Sequence, residues 1–137
     1  LEGSGQALCL DILDLPGGGP PLTDGGGWEF DFVFDCQCFH CVRQIPGLDP
    51  RDLALIYAGL LRPGGRLLLL TGSAEERTAR GPERLTREEL LGAFGDLLSC
   101  ESLEATHFDW TPVYRQQGFP DPPLGWLSVW RRPMEPA

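Results

Sequence analysis

The chain has 137 residues, the length of a single domain with a core of ordinary size, and its 42% hydrophobic content is that of a globular protein. Eleven arginines stand against 20 acidic residues for a net charge of −9, which argues against a nucleic-acid backbone as partner. No apolar run is long enough to span a bilayer, and no basic segment leads into an apolar one as in a secretory signal. The five cysteines, Cys9, Cys36, Cys38, Cys41 and Cys100, are odd in number and partly within apolar segments. They point to a reducing, cytoplasmic setting and not to a disulfide framework.

Gln6 to Leu10 reads as a short first strand ending at Asp11. Asp11-Ile12-Leu13-Asp14-Leu15-Pro16 leaves it as a loop, and residues 16–27, dense in Gly and Pro, read as a flexible surface insertion. Phe30 to Phe34 follows, aromatic and β-branched, with the length of a strand buried on both faces. It ends at Asp35, and Cys36, Gln37, Cys38, Phe39 and His40 follow in a loop or short helical turn. Open α/β sheets bind their ligands at the carboxyl ends of such strands.

Asp49-Pro50 opens a helix with an N-cap and a first-position proline, and Leu53, Ile56, Tyr57, Leu60 and Leu61 form its buried face. Arg62-Pro63-Gly64-Gly65 stops it. Arg66 to Thr71 (RLLLLT) reads as a second buried strand. Thr86 with Glu89 is a capping box for a helix running to about Leu98. Glu101 to Phe108 reads as a strand, followed by a Pro-rich connection. Gly125 to Arg131 alternates as a strand, with Trp126, Ser128 and Trp130 on one face. A disordered tail is expected over residues 133–137. The fold class is α/β, with parallel crossovers first and an antiparallel strand pair last.

In this order the segments resemble the C-terminal part of a class I S-adenosylmethionine-dependent methyltransferase. The stretch FDFVFDCQCFHCV resembles the "FD-x-V-x-D-x-x-x-F-H" segment of generic and thiopurine-methyltransferase-like domains. Asp11 to Pro16 resembles the "D-x-x-x-L-P" loop after that family's third strand, and the turn LLRPGGRLLLL also resembles the family's. The resemblance spans roughly Ala7 to Arg131. It implies a Rossmann-like sheet with helices on both faces, present here as a partial domain without the N-terminal cofactor-binding strands. It also implies transfer of a methyl group from S-adenosylmethionine to a small-molecule acceptor, weak or lost in this chain alone. Gly3-Ser4-Gly5 does not substitute for the Gly-rich turn of a complete member.

The resemblance further implies that Asp11 accepts from the adenine amine, that Ile12 packs on the ring, and that Asp35 and Cys36 lie beside the transferred methyl. Asp35 and His40 are the candidate catalytic residues, and Cys38 and Phe39 the candidate acceptor contacts. Each has a structural alternative: Asp35 as a loop carboxylate, His40 as an imidazole bonded to loop backbone, the cysteines as packing residues. Cys36, Cys38, His40 and Cys41 lack a second ligand pair at zinc-site spacing, so no metal is expected. Two other readings stay open. One is a non-catalytic module that self-associates through an exposed sheet edge, the other a nicotinamide-dependent Rossmann enzyme.

Overall fold

The computed structural model describes residues 11–13, 29–78 and 83–134. The expected strand at Gln6–Leu10, the Gly/Pro insertion at 16–27 and residues 135–137 of the tail lie outside the described residues. The elements are β1 (Phe30–Cys36), α1 (Cys38–Val42), α2 (Pro50–Leu60), β2 (Leu61–Ser73), β3 (Arg84–Leu85), α3 (Arg87–Phe94), β4 (Ser99–His107), α4 (Pro112–Gln116) and β5 (Leu124–Arg131). The sheet order is β1-β2-β5-β4, with the short β3 paired to β2. β1 runs parallel to β2, whereas β5 is antiparallel to both β2 and β4. The last strand in the chain therefore inserts between β2 and β4.

Both long helices start where the sequence signals them. Asp49 accepts from the Arg51 N–H at 2.9 Å and Pro50 occupies the first turn. Thr86 and Glu89 exchange both bonds of a capping box, at 3.0 and 2.7 Å. α3 ends at Phe94, before Leu97 and Leu98, with Gly95 as its C-cap still in helical conformation and bonded to the Leu91 carbonyl. Leu98 is nevertheless buried in the core.

The core lies between one sheet face and the helices. Leu53, Ala54 and Tyr57 of α2 and Leu90, Ala93 and Phe94 of α3 pack with Leu67, Leu69, Trp126 and Trp130 of the strands. Phe39 and Phe94 sit 4.9 Å apart, and Phe94 and Trp130 5.3 Å apart, so aromatic contacts run from α1 through α3 to β5. The two tryptophans also satisfy their N–H groups: Trp126 donates to the Leu85 carbonyl at 2.9 Å and Trp130 to Ser128 Oγ at 2.8 Å.

β1 is not buried on both faces among the described residues. Val33 and Asp35 turn toward the helices, while Phe32 and Phe34 on the opposite side are 54% and 59% exposed. Helices expected on that opposite face are not among the described residues. The strand's two apolar sides conceal the alternation that separates them.

The RPGG segment also differs from a plain helix stop. β2 begins at Leu61, directly after α2, and Arg62 to Gly65 bulge within it: Phe30 pairs Leu61, but Phe32 already pairs Arg66. Gly64 takes φ +79°. A Cβ on Gly65 would meet the Phe30 and Arg62 carbonyl oxygens at 2.8 and 2.9 Å. Gly65→Ala is therefore expected to cost about 1–3 kcal/mol in urea unfolding. Gly59→Ala, on an open helix surface with nothing within 4 Å, is expected to gain about 0.5–1 kcal/mol. Equal effects at the two positions would contradict the bulge geometry.

Candidate functional site

At the carboxyl ends of β1, β2 and β4 lies a cavity of about 700 Å³, within the size range of small-molecule sites. Four segments wall it. Cys36, Gln37, His40 and Cys41 come from the end of β1 and from α1, and Leu70 from β2. His107, Phe108, Asp109, Thr111 and Tyr114 come from the β4–α4 connection, and Glu83 from the segment before β3. Gln37 holds the left-handed conformation at φ 70°, which is costly without glycine. Its N–H donates to the Leu70 carbonyl at 3.0 Å, fixing the turn to the sheet.

The residues expected from sequence are divided by this geometry. Cys36 and His40 line the cavity; Asp35, Cys38 and Phe39 do not. Phe39 is fully buried against Tyr57 and Phe94, because it begins the aromatic stack of the core. Asp35 is 4% exposed, and its carboxylate is committed to the chain. Oδ1 accepts from the Cys38 N–H at 2.8 Å, and Oδ2 accepts from the Phe39 N–H at 2.9 Å and from the Tyr57 hydroxyl in a short bond. The position expected to touch the reacting groups thus holds the strand-to-helix turn instead. Asp11 is exposed and accepts from the Leu13 N–H at 3.0 Å, and Ile12 packs against the edge of the core.

His40 is 1% exposed. The Gly72 N–H donates to its Nδ1 at 2.8 Å, so the ring is the neutral tautomer with its proton on Nε2. Burial pushes its pKa below the usual imidazole range, against the opposing pull of Asp35. In this tautomer His40 offers the cavity an N–H donor and no free basic nitrogen. Burial raises the Cys38 and Cys41 thiols, and nearby Asp35 and Glu83 add to the effect, so both remain protonated. The Tyr57 phenol is raised far above its usual range by burial and by Asp35. Among the described residues no three His, Cys, Asp or Glu side chains come together as a metal site.

Sequence reasoning missed Gln37, His107 and Asp109 as cavity residues. One signal was available: Thr111-Pro112 carries the same cap-and-proline pattern as Asp49-Pro50 and starts α4, with Thr111 Oγ1 accepting from the Tyr114 N–H.

No protein-family model and no curated protein matches the chain. Solved structures do. One, from work on the conversion of a disulfide bond into a thioacetal group during echinomycin biosynthesis, is 21% identical with a TM-score of 0.62. The alignment covers 93% of this chain and 55% of that one, so this chain spans little more than half its length. Another, a SAM-dependent methyltransferase from Methanosarcina mazei, is 14% identical with a TM-score of 0.58, over 85% of this chain and 74% of that one. The fold is therefore the methyltransferase-like Rossmann fold, with an open mixed sheet.

Two outcomes test the site's construction. Tyr57→Phe is expected to lose about 1–3 kcal/mol in urea unfolding, since a buried bond to a carboxylate disappears; a loss under about 0.5 kcal/mol would show that bond to be unimportant. The lowered His40 pKa means that the unfolded chain binds the extra proton first. Its contribution to stability is therefore present above about pH 6.5 and is lost as pH falls below that. His40→Asn keeps an acceptor for Gly72, and unfolding between pH 7 and 5 is expected to show a shallower decline in stability than in the parent protein.

Proposed function

We propose that the chain carries the acceptor-binding part of an S-adenosylmethionine-dependent methyltransferase acting on a small molecule. The observation that carries this reading is the cavity at the carboxyl ends of β1 and β2, in a sheet whose antiparallel β5 lies between β2 and β4. That inserted antiparallel strand also weighs against a nicotinamide-dependent Rossmann enzyme.

On this reading Asp11, Ile12 and Cys36 take the donor along one edge. Asp11 is an exposed carboxylate with one oxygen bonded to Leu13 and capacity for a further donor such as the adenine amine. Ile12 offers an apolar surface beside it, and Cys36 stands where β1 meets the cavity. When bound, the donor supplies an electrophilic methyl group on a sulfonium. The residues of this chain hold and orient the acceptor against it: His40 Nε2–H and Gln37 as hydrogen-bonding groups, Tyr114 and Phe108 as walls.

A second reading, a non-catalytic module that self-associates, draws on the exposed Phe32 and Phe34. Equilibrium dialysis with labelled S-adenosylmethionine separates the two. Saturable uptake by the chain, weakened about tenfold by Asp11→Ala through loss of a hydrogen bond to a charged group, is expected for the methyltransferase. Absence of uptake, with a concentration-dependent dimer in sedimentation that Phe32→Ser and Phe34→Ser dissolve, would establish the module instead.

A further inference from the structure

Among the described residues, the acidic and basic side chains lining the cavity are of one sign. Glu83 and Asp109 line it, both exposed at the rim, and no arginine among the described residues does. Lysine is absent from the whole sequence. Several arginines are engaged elsewhere: Arg43 on the Arg84 carbonyl and beside Glu89, Arg66 on Glu101, Arg51 on Asp96, and Arg115 over the Trp110 ring at 5.1 Å. His40 adds no positive charge, because the proton that would make it cationic belongs where the Gly72 N–H already donates. A carboxylate or phosphate acceptor would enter this space without a counter-charge from the described residues, against two carboxylates and a chain of net charge −9.

The same walls suit a cation. Phe108 and Tyr114 line the cavity beside Asp109, and Phe119 braces the Tyr114 ring at a centroid distance of 5.5 Å. Aromatic faces attract an ammonium group, and adjacent carboxylates complete its coordination. We propose that the cavity selects an acceptor bearing a protonatable nitrogen, a ring-carrying amine, and rejects acids of the same shape. The inference rests on the methyltransferase reading for its chemistry. There the amine gives up its proton to water or to His107, and its lone pair forms the bond to the methyl carbon. The electron pair of the broken carbon–sulfur bond returns to sulfur.

Calorimetric titration of the chain with benzylamine, benzyl alcohol and benzoate tests the charge selection without the donor. Benzylamine is expected to bind at least about tenfold more tightly than benzoate, and a Glu83→Gln/Asp109→Asn variant to remove most of that difference. Benzyl alcohol is expected to be indifferent to the variant. Both substitutions are at exposed positions, so folding is not at stake. Equal or tighter binding of benzoate, an amine preference that survives the double substitution, or no binding of any probe would overturn the proposal. Amine preference without donor uptake would overturn the methyltransferase reading alone; donor uptake with benzoate preferred would overturn this one alone.

Discussion

One carboxylate holds the site end of this fold together. Asp35 ends a strand, yet its two oxygens take three donors from two helices: two backbone N–H groups at the start of α1 and the phenol of Tyr57 on α2. The two backbone donors would be orphans without it, since the first N–H groups of a helix have no partner within the helix. The carboxylate is buried, where an unpaired charge would be prohibitive and a fully bonded one is rigid. The direction in which α1 leaves the sheet follows from this bond set, and with it the positions of His40 and Cys41 on the cavity wall.

The packing carries the constraint outward. Because α1 is pinned, Phe39 enters the core beside Tyr57 and Phe94, and Phe94 in turn meets Trp130 on β5. β5 is held between β2 and β4, and its first residues approach so closely that a Cβ on Gly125 would meet the Thr71 carbonyl at 2.7 Å. Glu76 fixes the same end by accepting from the Leu124 N–H at 2.7 Å. The β4–α4 connection that forms the far wall therefore stands opposite α1 through a continuous path of contacts.

The legible parts were those decided locally. Asp49-Pro50 and Thr86 with Glu89 specify helix starts within four residues, and the alternation of Trp126, Ser128 and Trp130 marks which side of β5 is buried. What the chain settles at a distance could not be read. The Tyr57 that occupies Asp35 is 22 residues away, and Gly72, whose N–H fixes the His40 tautomer, is 32 away. Asp35 and His40 stood out because acidic and imidazole groups after a buried strand suggest chemistry; the same types also suit buried backbone bonding, and sequence does not separate the two. The cavity's far wall was illegible for a topological reason. His107, Asp109 and Tyr114 face α1 only because β5, later in the chain, inserts ahead of β4 in the sheet.

These assignments leave the α1 side of the cavity with little acid–base power of its own. The imidazole that lines it has its basic nitrogen occupied, the Cys41 thiol stays protonated, and the most buried carboxylate is spent on backbone and phenol. Such a wall cannot assist a reaction that needs a strong base poised on the nucleophile. It can assist one whose barrier falls mainly when two groups are held in line and water is kept out, where positioning alone can supply several kcal/mol, on the order of 7–11 in the best intramolecular cases. The rigidity that Asp35 imposes on α1 is then itself the contribution to function, because a wall displaced by 1 Å loses much of that advantage. A residue remote from the reacting atoms would in that case govern the rate as strongly as any that touches them.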